Sequence, residues 1–361
     1  MPPPGLTSLL SCLLLGQSPP ESLASRVRVD GSADVYAAYN ANRPADGANF
    51  VPGTGTSAKR DAAFALNLAS LGLTVDPAPV GLRVRVGLGN ATEVVHAGEP
   101  SGDSLGPDVW RHLLQASLSW VHGPLTLEAG VYPSHIGLEV LPSQDNWTYT
   151  RSWMGEFSPY YQTGLKGTWT FSPAWSAQLH VLNGWQNIGE NNRGKALGTQ
   201  VAYAGERLGA SLNTFVGEEG ASGQGGVRWL GDLVATLAVT EAVSLAASVD
   251  VGAQRRPGTS AAHWAAAALL GRVRLSGPVA IAARTELFED RGGLITGAVQ
   301  RLVEGTLTLE VRPDPHLVLK LEARHDRSSA SVFTGPLPSG GGEPSPRPTQ
   351  TLVVAGATAF F

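Results

Sequence analysis

The segment 189–196, Gly-Glu-Asn-Asn-Arg-Gly-Lys-Ala, has the glycine and lysine spacing of a loop that binds phosphate groups. In such a loop the backbone N–H groups and the lysine hold the phosphates, and a hydroxyl side chain after the lysine reaches a metal ion. Ala196 stands at that hydroxyl position, and residues 197–201 are typical of a strand, not of the helix that should follow. We therefore expect an external loop that binds no nucleotide.

The other residue types that could perform catalysis are scattered. Residues 53–58 loosely match a dinucleotide-binding glycine motif but lie in a polar stretch with no strand that leads into a helix. The eight histidines lack the spacing of a zinc site. The pairs His112/Ser117 and His180/Ser176 do not share lipid-facing positions, as a hydrolase on a barrel wall would require. We expect no enzymatic activity, no metal and no cofactor.

Charged side chains recur at every second position, opposite aliphatic ones. Burying unpaired charges in a dry core costs several kcal/mol, whereas a hydrated lumen tolerates them. Ten of the resulting lumen candidates are basic and seven acidic, which predicts weak anion preference or none. The candidate pore-lining residues are Arg83, Arg85, Glu128, Lys166, His180, Arg228, Asp232, Asp250, Arg272, Arg274, Arg284, Glu286, Glu304, Glu310, Arg312, Lys320, Glu322 and Arg324.

This alternation indicates the elements that must position those side chains. A membrane-spanning strand directs every second residue to lipid and the others inward. Leu317, Leu319 and Leu321, for example, alternate with Lys320 and Glu322. Similar runs begin near residues 27, 60, 80, 109, 125, 159, 174, 195, 207, 226, 242, 262, 279, 298, 316 and 351. The sequence therefore predicts an all-β fold, a transmembrane antiparallel up-and-down β-barrel of about 16 strands.

The segments between these runs alternate in length. Seven are tight turns, such as 76–79 and 313–315, and eight are longer polar loops: 43–58, 89–108, 132–157, 185–194, 217–225, 254–260, 290–295 and 327–349. Outer-membrane barrels combine short periplasmic turns with longer external loops and keep both termini on the periplasmic side. About sixteen strands also make a barrel wide enough for an aqueous channel.

Composition is consistent with one barrel domain. The chain has 44 glycines, 16% charged residues and a net charge of -4, which gives no basic footprint for nucleic acid. No apolar block approaches the roughly 18 residues of a membrane helix. Residues 1–25 resemble a signal peptide, with an apolar run over 9–15 that includes the one cysteine, Cys12. We expect residues 26–361 to form a single outer-membrane domain.

Aromatic residues support the membrane assignment. Phe361 ends the final alternating segment, and that ending resembles the C-terminal assembly signal of bacterial outer-membrane barrels. Rings also lie where strands enter or leave, which is typical of the aromatic belts of membrane barrels. These residues are Trp110, Trp120, Trp169, Phe171, Trp175, Tyr203 and Trp229.

Segment 128–200 resembles the OmpL-like beta-barrel porin family of bacterial outer membranes. The matching motifs follow the family's order: Gly130-Val131-Tyr132, Ile136-Gly137-Leu138-Glu139, Asp145-Asn146-Trp147-Thr148-Tyr149-Thr150-Arg151-Ser152, Tyr161-Gln162-Thr163-Gly164-Leu165, Val181-Leu182-Asn183-Gly184-Trp185 and Asn191-Asn192-Arg193-Gly194-Lys195. The resemblance implies a single-chain barrel and passive transport of a solute that the family leaves unassigned.

The long third loop, 132–157, is rich in Trp and Tyr and bounded by strands. Because so many apolar rings disfavour a loop free in water, we expect it to fold inward and narrow the pore. The predicted constriction residues are Glu139, Asp145, Trp147, Arg151 and Glu156. An equally favoured interpretation is that Asp145 and Arg151 pair with each other or with the wall, and only hold the loop.

The leading functional hypothesis is an outer-membrane porin-like channel for passive diffusion of small hydrophilic solutes or ions. A non-conducting surface anchor or adhesin that displays its loops is the alternative, and a soluble secreted all-β protein is a third. For the channel we expect a Gram-negative outer membrane as the location. Its expected partners are the lipid bilayer, lipopolysaccharide and, through Phe361, the outer-membrane assembly machinery, with homo-oligomerisation left open.

Overall fold

The computed structural model describes residues 22–99, 106–190, 192–220, 225–255 and 257–361. Most of the expected signal peptide, residues 1–25, lies outside the described part of the chain. The strands are β1 (Val27–Asn40), β2 (Ala63–Val75), β3 (Val80–Leu88), β4 (Leu113–His122), β5 (Leu125–Pro133), β6 (Tyr161–Thr170), β7 (Trp175–Leu182), β8 (Ala196–Ala204), β9 (Leu208–Glu219), β10 (Gly226–Ala238), β11 (Val243–Gln254), β12 (Ala262–Ser276), β13 (Val279–Asp290), β14 (Gln300–Asp314), β15 (Leu317–Ser328) and β16 (Thr349–Phe360).

Each strand pairs antiparallel with its sequence neighbours, and β1 pairs with β16, so the sheet closes into a barrel of sixteen strands. The closing register runs from Ser32 opposite Phe360 to Asn40 opposite Leu352. The predicted fold class is therefore confirmed. Six of the predicted starts, near residues 27, 80, 125, 226, 262 and 279, coincide with observed starts. The strand predicted to start near residue 109 begins later, at Leu113, because residues 106–110 form a short helix.

The helices are short and lie before β1 or in loops: α1 (Leu23–Arg26), α2 (Asn90–Val95), α3 (Gly106–Trp110) and α4 (Trp153–Phe157). Trp110, which we expected in an aromatic belt, belongs to α3 instead of a strand end. Within the described residues, no helix has the length and apolar content needed to span a membrane.

The two ends of the barrel differ. At one end, here the turn rim, the start of β1 and the end of β16 lie beside seven short connections, among them residues 123–124 and 277–278. Gly123 and Gly277 in these turns have positive φ, 55° and 45°, which glycine adopts without steric cost. At the other end, the loop rim, the connections include L1 (residues 41–62), L2 (89–112), L3 (134–160), L4 (183–195) and L8 (329–348).

The outer face of the wall is apolar. Leu233, Leu269 and Leu321 are among the many large aliphatic residues that point outward and are exposed. Trp120, Trp169 and other exposed rings lie close to the turn rim. This arrangement is that of a wall facing lipid, with one aromatic belt at an interface.

The inside of the barrel is filled over much of its height. An apolar cluster joins L1, L3 and L8 to the wall through Phe50, Trp153, Phe288 and Phe333. The ring of Trp153 lies 5.9 Å from that of Phe50 and 6.2 Å from that of Phe333. The loops therefore fold back into the lumen, where their rings form a second core.

Candidate functional site

L3 enters the barrel and lies along the wall from β10 round to β1. It leaves β5 after Pro133 and joins β6 at Tyr161, so Tyr132 of the predicted loop belongs to a strand. The Gly137 N–H donates to Asp232 of β10, with 2.7 Å between nitrogen and Oδ2. Ser143 Oγ donates to Asp34 Oδ2 of β1 at 2.8 Å. The loop therefore contacts strands that lie far apart around the barrel.

Wall carboxylates hold the N–H groups of L3. Glu286 of β13 accepts from the N–H groups of Trp153 and Met154 at 2.5 and 2.6 Å. Glu322 of β15 accepts from the N–H groups of Tyr149 and Thr150 at 2.5 and 3.0 Å. Each carboxylate thus binds two consecutive peptide groups.

Wall cations hold the carbonyl groups of the same segment. Lys320 Nζ donates to the Ser143 and Asn146 carbonyl oxygens at 2.6 and 2.5 Å. Arg284 donates to the Thr150 carbonyl at 2.6 Å, and Arg324 to the Arg151 carbonyl at 2.5 Å. Because L3 has little regular structure, its buried peptide groups need such side-chain partners. These inward-facing charges therefore hold L3 against the wall instead of facing water.

Tyr149 gives L3 a further fixed point. Its hydroxyl donates to Asp34 Oδ1 at 2.9 Å, and its ring lies against Gly356 of β16. Burial raises the pKa of the Tyr149 phenol well above its usual value, and the charge of Asp34 raises it further. The hydroxyl therefore stays protonated and able to donate.

Four of the five predicted constriction residues are engaged in holding L3. Glu139 pairs with Arg284 at 2.7 Å, and Trp147 is buried. Arg151 is 1% exposed, lies 4.3 Å above the Tyr160 ring and is 3.8 Å from Glu156. Glu156 accepts hydrogen bonds from residues 55 and 56 of L1.

Asp145 is the exception among these five residues. Its side chain is exposed, and among the described residues no ion pair joins it to Arg151. Its charged neighbours are Lys320, Arg312 and Arg85. Asp145 is thus the predicted constriction residue that a dissolved ion can reach.

The predicted lining residues fall into two groups. The first group is buried on the inner face: Glu128, His180, Asp232, Asp250, Arg284, Glu286, Glu304, Glu310, Lys320, Glu322 and Arg324. The second keeps solvent contact and comprises Arg83, Arg85, Lys166, Arg272, Arg274 and Arg312 nearer the turn rim, together with Arg228 near the loop rim at the start of β10.

Exposed or half-buried charges of β1, β3 and β6 lie toward the turn rim, and Asp145 of L3 has Arg85 among its charged neighbours; we call the region of Asp30, Arg83, Arg85, Lys166 and Asp145 the vestibule. Arg85 forms an ion pair with Asp30, and Lys166 pairs with Glu128 at 2.5 Å. Arg83 is exposed and has no ion-pair partner within 4 Å among the described residues. The vestibule therefore contains accessible charges of both signs.

The wall above the vestibule, toward the loop rim, is closed to solvent. Tyr132, Gln162 and His180 are each 0% exposed. The His135 ring at the start of L3 stacks on His180 at 4.1 Å and contacts Gln162 Oε1 at 2.8 Å. Burial lowers the pKa of His135. In this conformation the start of L3 seals the β5–β7 side.

The sequence interpretation missed several inward acids. Asp34 and Asp326 continue the alternation of their strands and could have been found by the same parity, whereas Asp290 fell in the predicted loop 290–295. Among the described residues, the buried side chains include thirteen Asp or Glu but four Lys or Arg. The buried interior is therefore rich in acid, although the predicted lining set was slightly basic.

Known proteins resemble this chain in sequence and fold. The family model described as "Putative beta-barrel porin-2, OmpL-like" matches residues 26–361. No curated protein matches the sequence significantly.

Similar solved structures include an anion-selective porin from Comamonas acidovorans, with 13% identity, TM-score 0.61, and coverage of 93% of this chain and 99% of that one. The outer membrane channel DcaP of Acinetobacter baumannii has 12% identity, TM-score 0.60 and coverage of 93% and 97%. The trimer form of OmpT from Vibrio cholerae has 10% identity, TM-score 0.60 and coverage of 93% and 99%. At these identities the likeness establishes the fold.

Proposed function

The chain belongs to the OmpL-like beta-barrel porin family, and from that premise we propose that it conducts small hydrophilic solutes or ions by passive diffusion. In this proposal L3 is the constriction, and solutes pass between the loop and the wall of β1–β7. The family and the sixteen-strand fold are those of outer-membrane porins.

One observation carries this proposal. L3 lies inside the lumen and is held by wall charges on the side from β10 round to β1, while the charged side chains of the vestibule stay in contact with solvent. Asp145 on the loop and Arg83 on β3 are both exposed in the vestibule. Opposite charges beside a narrow water-filled path set which ions pass. The structure thus supports two roles for the predicted residues, anchoring for the buried ones and selectivity for Asp145 and Arg83.

The closed wall above the vestibule suggests that passage requires movement at the start of L3. Tyr132, Gln162 and His180 would have to become hydrated, and the His135 ring lies against two of them. The buried interior favours, as a second candidate, a non-conducting surface anchor. We expect neither candidate to act as an enzyme.

Planar-bilayer recording of the purified, refolded chain tests the proposal. We expect discrete ionic current steps, with larger or more frequent steps when Glu286→Ala removes two backbone anchors of L3. Silence of both proteins, each with the heat-dependent gel shift of a folded barrel, would replace the channel with the surface anchor. Current from the variant alone would indicate a channel that L3 keeps closed.

We further propose a Gram-negative outer membrane as the location, with lipopolysaccharide around the loop rim and recognition of the C-terminus by the assembly machinery. Phe361 is 69% exposed, and its backbone pairs with Gly31 at 3.0 and 3.3 Å. Its ring is thus displayed at the turn rim beside β1. Whether copies associate is tested by cross-linking in native membranes.

A further inference from the structure

We propose that a monovalent cation of sodium size binds beside Asp250, between L3 and the inner face of β10–β12. The proposal does not depend on conduction, because the ion would fasten the loop whether or not the pore opens.

Asp250 of β11 faces Asp232 of β10 directly across the strand pair. The two residues are 3% and 0% exposed, and neither forms an ion pair with a described Lys, Arg or His. Two adjacent carboxylates removed from water repel each other and lose their hydration. A proton held between them or a bound cation would relieve this repulsion.

The two carboxylates differ in how well they are satisfied. Asp232 Oδ2 accepts from the Gly137 N–H and from Asn213 Nδ2, each at 2.7 Å, and Ser248 Oγ approaches Oδ1 at 3.4 Å. Asp250 Oδ2 has one long contact, 3.4 Å from Ser158 Oγ, and Asp250 Oδ1 is buried without a hydrogen-bond partner. A free ligand oxygen is thus present at Asp250.

A small cavity borders Asp250. Its volume is about 10 Å³, and it is lined by Asp250 and Ser248 of the wall and by Glu139 and Ser158 of L3, among others. This volume fits a single particle the size of a water molecule. The lining supplies carboxylate and hydroxyl oxygens from both sides, so a bound ion would bridge the loop to the wall.

The donor set favours a single positive charge. Calcium takes six to eight oxygens, usually with several carboxylates. Here Glu139 is already paired with Arg284, and Asp232 already accepts hydrogen bonds from the Gly137 N–H and Asn213 Nδ2. Among the described residues, no group of three or more His, Cys, Asp or Glu is arranged to hold a metal ion. One free carboxylate with two hydroxyls suits a monovalent ion.

The test measures the thermal unfolding midpoint of the full chain in detergent micelles, with EDTA present and ionic strength constant. NaCl replaces N-methyl-D-glucamine chloride stepwise. Because an ion that binds the folded state stabilises it by mass action, we expect the midpoint to rise above a half-saturating concentration, by about 2 °C per tenfold increase in sodium.

Variants assign the response to the site. Asp250→Asn should abolish the sodium dependence, and Ser158→Ala, which alters only the loop side, should raise the half-saturating concentration about tenfold. Asp290→Asn is the matched control, because that buried carboxylate is satisfied by the N–H groups of residues 294–296 and should leave the response intact. If Asp250→Asn does not fold, Ser158→Ala decides.

Equal midpoints in both salts would overturn the proposal. If the midpoint instead depends on pH, and this dependence disappears in Asp250→Asn, the pair holds a shared proton and the ion is excluded. A response to added calcium but not to sodium would likewise overturn the monovalent ion.

Discussion

The ring of Tyr149 lies directly against Gly356 of β16, so closely that a β-carbon at position 356 would overlap it. The backbone of β16 is extended there, so the glycine is needed for space and not for an unusual conformation. Gly356→Ala should therefore displace Tyr149 and break its hydrogen bond to Asp34. We expect loss of about 1–3 kcal/mol of stability and larger or more frequent current steps in planar bilayers.

Gly305→Ala is the control, because a β-carbon at position 305 would meet nothing within 4 Å. It should behave as the unchanged protein in both measurements. Identical currents and identical stability for Gly356→Ala would show that Tyr149 does not anchor L3.

Glu286 accepts hydrogen bonds from two consecutive N–H groups of L3, so its removal should destabilise this part of the loop locally. Glu286→Ala leaves the Trp153 and Met154 N–H groups without their acceptor in a buried site, which costs about 1–3 kcal/mol for each. Hydrogen exchange at these two amides should accelerate strongly. Glu289→Ala serves as the comparison, since its pairs with Arg291 and Arg301 involve largely exposed arginines and surface pairs contribute little. Unchanged protection in Glu286→Ala would contradict the anchoring role.

The alternation of side chains allowed the barrel to be predicted from sequence, because most spanning strands direct aliphatic residues to lipid and polar ones inward. The segments around Arg83 and Lys320 show this directly. The inward residues of β12, among them Trp264, Ala266 and Leu270, are apolar and depart from this pattern. The rule fixes which face a residue occupies, but not what stands opposite it. It therefore could not predict that Glu286 and Glu322 bind the backbone of L3 instead of water, since that depends on the path of a loop with little regular structure.

Because parity does not give the partner of a side chain, it also could not assign roles to the predicted constriction residues. Charge and ring content predicted that L3 turns inward, but Arg151, Glu139 and Glu156 could equally line a pore or hold the loop. Their partners are Tyr160, Arg284 and residues 55–56, and parity predicts none of these contacts. Sequence alone therefore could not separate the exposed Asp145 from its buried neighbours.

His96 in L2 predicts an acid-sensitive loop. Burial lowers the pKa of His96 from 6.5 to about 4, and the ring stacks on Tyr161 at 4.6 Å. Because the opened loop binds a proton more tightly than the closed one, the closed form is fully stabilised above pH 6.5 and loses stability as the pH falls toward 4. The loss is about 1.4 kcal/mol per pH unit, roughly 3 kcal/mol in all.

Hydrogen exchange of α2, corrected for intrinsic rates, should therefore accelerate between neutral pH and pH 4.5 or so. His96→Phe keeps the ring contact and should remove this acceleration, whereas His316→Phe, at an exposed histidine of the turn rim, should retain it. Equal acid responses in His96→Phe and the unchanged protein would exclude His96 as the sensor.

Ion selectivity should depend on the two exposed charges of the vestibule. Asp145→Asn removes a negative charge that dissolved ions can reach and should shift the reversal potential toward anions. Arg83→Gln removes an exposed positive charge and should shift it toward cations. A unit charge a few ångströms from an ion in water contributes about 1 kcal/mol, so each permeability ratio should change about two- to fivefold at low salt.

Arg151→Gln is the control. It should lower stability, because the Arg151 guanidinium is buried on Tyr160, and should leave the permeability ratio of folded channels nearly unchanged. Shifts of the same sign for Asp145→Asn and Arg83→Gln, or a dominant effect of Arg151→Gln, would place the selective charges elsewhere in the barrel.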